Sequence, residues 1–586
     1  MKLSLQILAL SAVLLYSLNV SAATLDDWRT RTIYQVLTDR FAKADGSTEG
    51  SCDVVNGFYC GGTWKGIVDK LDYIQGMHFD ALWISPVVAQ LQNTTSDGES
   101  YTAYWAQDLY SLNSNFGTAD ELRELIDEVH RRGMYLMLDI VVNHMAFAGP
   151  SEKVDYSVLK PFDDQKYYHS YCAVNGNTNE TNVEACWLGS NVVSLPDLRT
   201  EDDVVRDMLT DWIREMVSNY SIDGLRIDTA LNVEPEFFPD FVEASGVFAT
   251  GETMHGDNSF VCRWADTIGS ILNYPIYYVL VRAFGSPTGN INDLVSTIYT
   301  TRANCEDPSA FGIFSENHDV ERFAEITNDT ALAKNVLTFT LMSDGIPIIY
   351  QGQEQHMSGA NSPHINRAPL WSTGYDTEAA LYRHISTLVL ARQHFIRVCD
   401  KYATRESHVI YQDYHTIAMR KGHGRAQVIT VLNNNGESTE DFEIDVKDHK
   451  LKHFTEVTEI LTCTQLTVGK SGYLKVPMGK GLPKVLFPTK LLAHSGLCGM
   501  GHPLPLPSPT LIATTYATTF ATTIGGYSTM IATSVTTTAP STPKRTKLAL
   551  GAASHSHTTN DALLVLIVAM STFLASSGAF LYLFGL

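Results

Sequence analysis

At 586 residues, 44% of them hydrophobic, the chain is long enough to bury more than one core. Its 64 acidic residues against 42 basic ones give a formal charge of −22. With no basic stripe to offset that balance, an electrostatic footprint for nucleic acid is excluded, whereas a neutral polymer is compatible with such a surface.

Lys2, the apolar run from Leu3 to Val20 and the small residues Ser21-Ala22-Ala23 read as a secretory signal over residues 1–22, with a transmembrane anchor as the alternative. The nine cysteines fit an oxidising compartment. Asn93, Asn179, Asn219 and Asn328 each open an Asn-X-Ser/Thr sequon, an acceptor for glycan on a secreted surface. Thr118-Ala-Asp-Glu121 has the pattern of a capping box, and Leu122, Leu125, Ile126 and Val129 recur after it at helical spacing. Gly133 supplies a left-handed stop, and the nearly unbroken apolar run Tyr135–Val142 predicts a strand buried on both faces. The same pattern of apolar strand and polar tip recurs at Gly224–Asp228, Gly246–Glu252 and Ala310–Asp319.

Between His144 and Asp203 the periodicity breaks down, and Cys172, Cys186 and scattered Asp and Asn stand between two stretches of βα character, 23–143 and 204–403. After Ala403, short alternating runs such as His408–Tyr411, Thr416–Arg420 and Gln427–Leu432 predict a β-sandwich over 404–498. Residues 499–550, rich in Thr, Ser, Ala and Pro, read as an O-glycosylated stalk that buries no core. Residues 551–586 join small residues Gly551-Ala-Ala-Ser554, a polar spacer and the apolar tail Ala562–Leu586, the pattern of a GPI-anchor signal. A terminal transmembrane helix is the alternative, disfavoured by the lack of Lys or Arg after the tail.

Four carboxylate-bearing segments stand at those strand tips: Asp139-Ile-Val-Val-Asn143-His144, Gly224-Leu-Arg226-Ile-Asp228, Gly251-Glu252-Thr253 and Phe314-Ser-Glu-Asn317-His318-Asp319. Acidic groups at the C-terminal ends of successive strands are what an enzyme built on a parallel barrel presents. Their order, spacing and flanks resemble the α-amylase family of retaining glycoside hydrolases, glycoside hydrolase family 13, over about Trp28 to Cys498. The resemblance is to fungal members, and the tail adds a GPI-anchored, cell-surface type. It implies an α/β fold: a (β/α)8 TIM barrel, a small inserted domain B (144–203) and a C-terminal antiparallel β-sandwich, domain C.

The resemblance also implies roles. Asp228 is the expected nucleophile, Glu252 the acid/base and Asp319 the carboxylate that stabilises the distorted sugar. Arg226, two residues before Asp228 on the same strand face, is expected to keep that carboxylate ionised. His144 and His318 match the pair that hydrogen-bonds the sugar, and Tyr104 its stacking platform. Trp105 and Arg367 are expected along the cleft, and Asp139 as a supporting hydrogen-bonding residue. Asn143, Glu184, Asp197 and Asn232 match ligands for Ca²⁺, Asn232 through its carbonyl, and hard oxygen donors suit that ion. Neighbourhood and resemblance together pair Cys52 with Cys60, Cys172 with Cys186, Cys262 with Cys305, and Cys463 with Cys498. Cys399 is left over as a buried thiol. The implied partner is an α-glucan, met by a monomer held to the membrane by its lipid anchor.

Leu231 departs from the family pattern, standing where a Lys helps hold sugar on the leaving-group side; Ser362 and Thr102 also replace sugar-contacting residues. These changes touch the acceptor side, which decides between water and a sugar hydroxyl as the second reactant. Three readings follow: an α-amylase that hydrolyses internal α-1,4 bonds, a 4-α-glucanotransferase acting on wall glucan, and a non-catalytic glucan-binding protein. The complete carboxylate triad and the retained histidines favour the first.

Overall fold

The computed structural model describes residues 23–176, 180–503, 520–524 and 527–531. The signal, Asn179, most of the stalk and the apolar tail lie outside the described residues.

One parallel sheet holds seven strands: β1 (Ile33–Gln35), β2 (Ala81–Ile84), β3 (Tyr135–Val141), β4 (Gly224–Asp228), β5 (Phe248–Gly251), β6 (Gly312–Ile313) and β7 (Ile346–Tyr350). They run in the order β5-β4-β3-β2-β1-β7-β6, so β7 pairs back onto β1. Residues 270–273 fill the remaining gap. Gly251 bridges to Ile271 and Leu272 to Gly312, and the Leu272 and Asn273 N–H groups donate to the Gly251 and Gly312 carbonyls at 2.9 Å each. An eighth strand reduced to bridges thus closes the expected barrel. All residues of the seven strands are buried, which is why they read as unbroken apolar runs rather than alternating ones.

The βα unit after Gly117 forms as its sequence predicts. Helix Ala119–Arg131 opens on a capping box in which Thr118 and Glu121 satisfy one another's free N–H groups, and it buries Leu122, Leu125, Ile126 and Val129. Gly133 follows at φ 73°, a conformation a Cβ would penalise, and turns the chain into β3. Between β3 and helix Asp203–Tyr220 lies a small three-stranded sheet (Phe147–Ala148, Val193–Leu195, Leu188–Gly189), with the short helix Glu180–Ala185 tied in by the Cys172–Cys186 disulfide.

The C-terminal domain is a sandwich of a six-stranded antiparallel sheet and a two-stranded one, Glu443–Val446 with Leu474–Pro477. Its central strands serve two cores by alternation. Ala418, Ile429, Val431 and Leu486 pack inside the sandwich, whereas Ile417, Met419, Val428, Leu432, Val485 and Phe487 join the main core with the barrel helices.

Strands Phe520–Ile524 and Tyr527–Ile531 pair as an antiparallel hairpin in a separate unit, within the segment expected to be a stalk without structure. Their Thr, Ile and aromatic content suits extended pairing. Among the described residues no helix is long and apolar enough to cross a membrane.

Candidate active site

The strand tips converge on one guanidinium. Arg226 and Asp228 share a face of β4, and the parallel register sets Asp139 of β3 beside Arg226. Arg226 Nη1 lies 2.9 Å from Asp139 Oδ1 and 2.7 Å from Asp228 Oδ1, and its Nη2 lies 2.7 Å from Glu252 Oε1. Asp139 is held from the far side by Tyr104 O–H (2.8 Å) and Trp83 Nε1–H (3.0 Å). Glu252 accepts from Tyr274 O–H at 3.1 Å and from the Thr229 N–H at 3.1 Å, and Asn317 Nδ2–H donates to Tyr274 Oη at 2.9 Å.

A second group faces this one. Asp319 is a quarter exposed, the most open of these carboxylates; Arg367 Nη2 lies 3.0 Å from its Oδ1 and His318 Nε2 lies 3.0 Å from its Oδ2. The His318 ring stacks on Tyr104, with centroids 5.3 Å apart and planes 6° apart. His144 Nε2 donates to the Tyr104 carbonyl at 3.1 Å. Leu231 is buried, its N–H donating to the Glu252 carbonyl at 3.1 Å. Trp105 is half-buried and packs against Leu91, Ala146 and Val193.

Burial dominates the electrostatics. It pushes the Asp139 carboxyl up to about 6 and raises that of Asp228, with the Arg226 guanidinium pulling against it in both cases. Arg226 is the cation that favours the ionised form of Asp228 against this burial. Burial, then the cations Arg367 and Arg226, hold His318 well below the usual imidazole range, and burial brings His144 down to about 4. Both rings are neutral hydrogen-bonding groups at neutral pH.

The residues expected to bind a metal fall into two linked pairs. His144 and Asp197 form a β-bridge, which puts Asn143 beside Asp197, whose Oδ1 is buried without a hydrogen-bond partner. Asn232 Nδ2–H donates to the Val183 carbonyl at 3.1 Å, beside Glu184, whose carboxylate lies 3.2 Å from Arg263 Nη2. Among the described residues no cluster of three or more His, Cys, Asp or Glu side chains has the geometry to hold a metal ion. As oxygen donors, one of them an orphaned carboxylate oxygen of Asp197, these residues nonetheless suit a hard cation.

All four expected disulfides form. Cys52 is bonded to Cys60, Cys172 to Cys186, Cys262 to Cys305, and Cys463 to Cys498. Cys399 is a buried free thiol, as expected. Asn93, Asn219 and Asn328 are exposed. Sequence reasoning missed three contributors: Trp83, Tyr274 and Gln35, whose Nε2 lies 3.0 Å from His318 Nδ1. Only Gln35 carried a signal, as a polar residue in an apolar strand.

The comparisons agree with this geometry. Residues 35–406 match the family described as "Alpha amylase, catalytic domain", and 409–503 match "Alpha-amylase, domain C". Alpha-amylase 1 of Lipomyces kononenkoae is 48% identical over 83% of this chain and 77% of its own length. Alpha-amylase 2 of Schwanniomyces occidentalis is 45% identical over 80% and 92%. An α-amylase structure from Malbranchea cinnamomea superposes with a TM-score of 0.79 at 46% identity, covering 81% of this chain and all of its own. With a family match over most of its length, and such relatives beside it, the chain belongs to the α-amylase family.

Proposed function

We propose that this α-amylase opens internal α-1,4-glucosidic bonds with retention, using Asp228 as nucleophile and Glu252 as acid/base. The observation that carries the reading is Arg226, whose two Nη atoms hold one oxygen of each carboxylate at 2.7 Å. A retaining site needs its two carboxyl groups about 5 Å apart, with no water-wide gap between them. In the first step Glu252 gives its proton to the leaving oxygen while Asp228 attacks the anomeric carbon and becomes a neutral ester. The negative charge thus passes from Asp228 to Glu252, from the Nη1 side of one guanidinium to the Nη2 side. Arg226 meets the same total charge before and after the step, so little reorganisation is required. Water then gives a proton to Glu252 and attacks the anomeric carbon, whose bond to the Asp228 oxygen breaks, regenerating both groups. Asp319, held by Arg367 and His318, faces the developing oxocarbenium ion; His318 carries an N–H on that side, whereas the one N–H of neutral His144 is taken by the Tyr104 carbonyl.

Ca²⁺ is the proposed metal, held by Asn143, Asp197, Glu184 and the Asn232 carbonyl. It would supply charge neutralisation at Asp197 and tie the 144–203 insertion to the barrel. The stated domain boundaries, glycosylation at the sequons, a monomeric state and GPI anchoring at the cell surface or wall belong to the same proposal. The disulfides support passage through an oxidising compartment.

The test is the product profile from maltoheptaose, with Asp228→Asn as control. Shorter sugars with new reducing ends support hydrolysis. Products longer than the donor support a glucanotransferase, the alternative raised by the altered acceptor side at Leu231. Absence of turnover by both proteins would leave a binding role.

A further inference from the structure

We propose that Gln35 is a positioning residue that fixes the tautomer of His318, so that the ring presents an Nε2–H to the sugar-binding side of the site. This rests on the reading above, in which His318 meets substrate.

Gln35 is the last residue of β1 and is 2% exposed; its Nε2 lies 3.0 Å from His318 Nδ1, while its Oε1 is buried with no hydrogen-bond partner. Two orientations of the amide can be compared. If the oxygen faced the ring, Nδ1 would carry the proton, and the bare Nε2 of a neutral ring would face Asp319 Oδ2 at 3.0 Å. Two acceptors at that distance repel. With the amide N–H facing the ring, Nδ1 accepts, Nε2 keeps the proton, and the chain of donation runs Gln35 to His318 to Asp319. An imidazolium would also satisfy Asp319, but the groups packed around the ring oppose it. Burial and the nearby Arg367 and Arg226 outweigh the two carboxylates that favour the charge, Glu252 and Asp319. The orphaned Oε1 fits the same view: leaving a buried acceptor unpaired is costly, and the orientation persists because its N–H is in use.

The ring has little freedom to choose otherwise. It is stacked flat on Tyr104, and its carbonyl accepts from Arg367 Nε–H at 2.7 Å and from Asn366 Nδ2–H at 2.9 Å. Plane and backbone are thereby set by Tyr104, Arg367 and Asn366. The remaining variable, the position of the proton, is left to Gln35.

The deciding measurement is the ¹⁵N spectrum of histidine-labelled full-length enzyme at neutral pH, with His318 assigned from the signal lost in His318→Gln. Nδ1 unprotonated and Nε2 protonated is the expected result; a proton on Nδ1 in the parent enzyme overturns the proposal. This readout needs no turnover, so it stands or falls separately from the hydrolytic reading. Two variants add the functional consequence. Gln35→Met, of similar size, should lose the tautomer bias and about tenfold in kcat/KM, the effect of losing one hydrogen bond that matters in the transition state. Gln35→Glu keeps the shape but makes the partner an acceptor. It should bring into the pH profile an ionisation in the histidine range that the parent lacks. Unchanged rates and an unchanged pH profile in both variants, each folded by circular dichroism, would refute the assignment.

Discussion

The barrel buries a charged cluster at each end, and the two are assembled by opposite rules. At the C-terminal ends of the strands, one cation, Arg226, serves three carboxylates, Asp139, Asp228 and Glu252. At the other end, just before β7, one mostly buried carboxylate, Asp344, serves two cations: Arg302 Nη2 at 2.6 Å and Lys421 Nζ at 3.0 Å. Ser407 completes that shell with its N–H (2.9 Å) and hydroxyl (3.1 Å), and Lys421 and Ser407 come from the sequence on the domain C side. Burial works to raise the Asp344 carboxyl, but Lys421 and Arg302 overcome it and hold the group below the usual carboxylate range. At the strand tips a single guanidinium does not overcome burial, and Asp139 and Asp228 stay raised. Carboxylates short of partners are kept where charge has to move, and a saturated one where two domains have to stay docked.

Removing a carboxylate from each cluster tests this contrast most severely. Asp228→Asn should cost about 10⁴-fold or more in kcat/KM, since the covalent step has no substitute nucleophile. Its melting temperature should hold or rise, because an under-paired charge has gone. Asp344→Asn should do the reverse. Stranding two buried cations should cost about 3–5 kcal/mol in denaturant unfolding, with activity per folded molecule near the parent's. Equal stability losses in the two variants would sink the distinction.

The pH dependence of stability separates the clusters again. Asp139 has a folded value of about 6, above its unfolded one, so its contribution is fully present below the ordinary carboxylate range. That contribution is lost as pH rises towards about 6. Asp344 has a depressed folded value, so its contribution is present above the ordinary range and lost as pH falls through the folded value. Melting curves of Asp139→Asn and Asp344→Asn against the parent should therefore diverge in opposite directions on acidification. The least change belongs to the rim. Glu406 lies 3.9 Å from Arg302 Nε with its side chain 57% exposed, and Glu406→Gln should change stability by less than about 0.5 kcal/mol.

The acidic half of this contrast was legible in the sequence and the basic half was not. Asp228, Glu252 and Asp319 announce themselves because each ends an apolar run, and Asp139 because it interrupts one, local patterns that survive in one dimension. Asp344, Lys421 and Arg302 come from three distant segments, and no local pattern links them. Sequence spacing gives Arg226 one partner, and the parallel register gives it three. The eighth strand escaped notice because bridges at Ile271 and Leu272 need no apolar run to form. Tyr274 was missed because it opens a helix, Tyr274–Phe284, whose residues are mostly buried apolar ones; the hydroxyl aimed at Glu252 has no signature there. The motif around Glu184 suggests a ligand, but it cannot register Arg263 across the fold.

The six-stranded sheet of domain C has a consequence for recombination among these enzymes. It is a party wall, with Ala418, Ile429, Val431 and Leu486 on one side and Ile417, Met419, Val428, Leu432, Val485 and Phe487 on the other. A crossover near residue 405 between two homologous genes would separate the wall's barrel-facing side chains from the helices that evolved against them. Viable chimeras should come from parents that agree at those six positions, whatever their identity elsewhere. Parents that differ there should give progeny that fold only when the Thr330–Met342 and Ala380–Val398 helices travel with the wall.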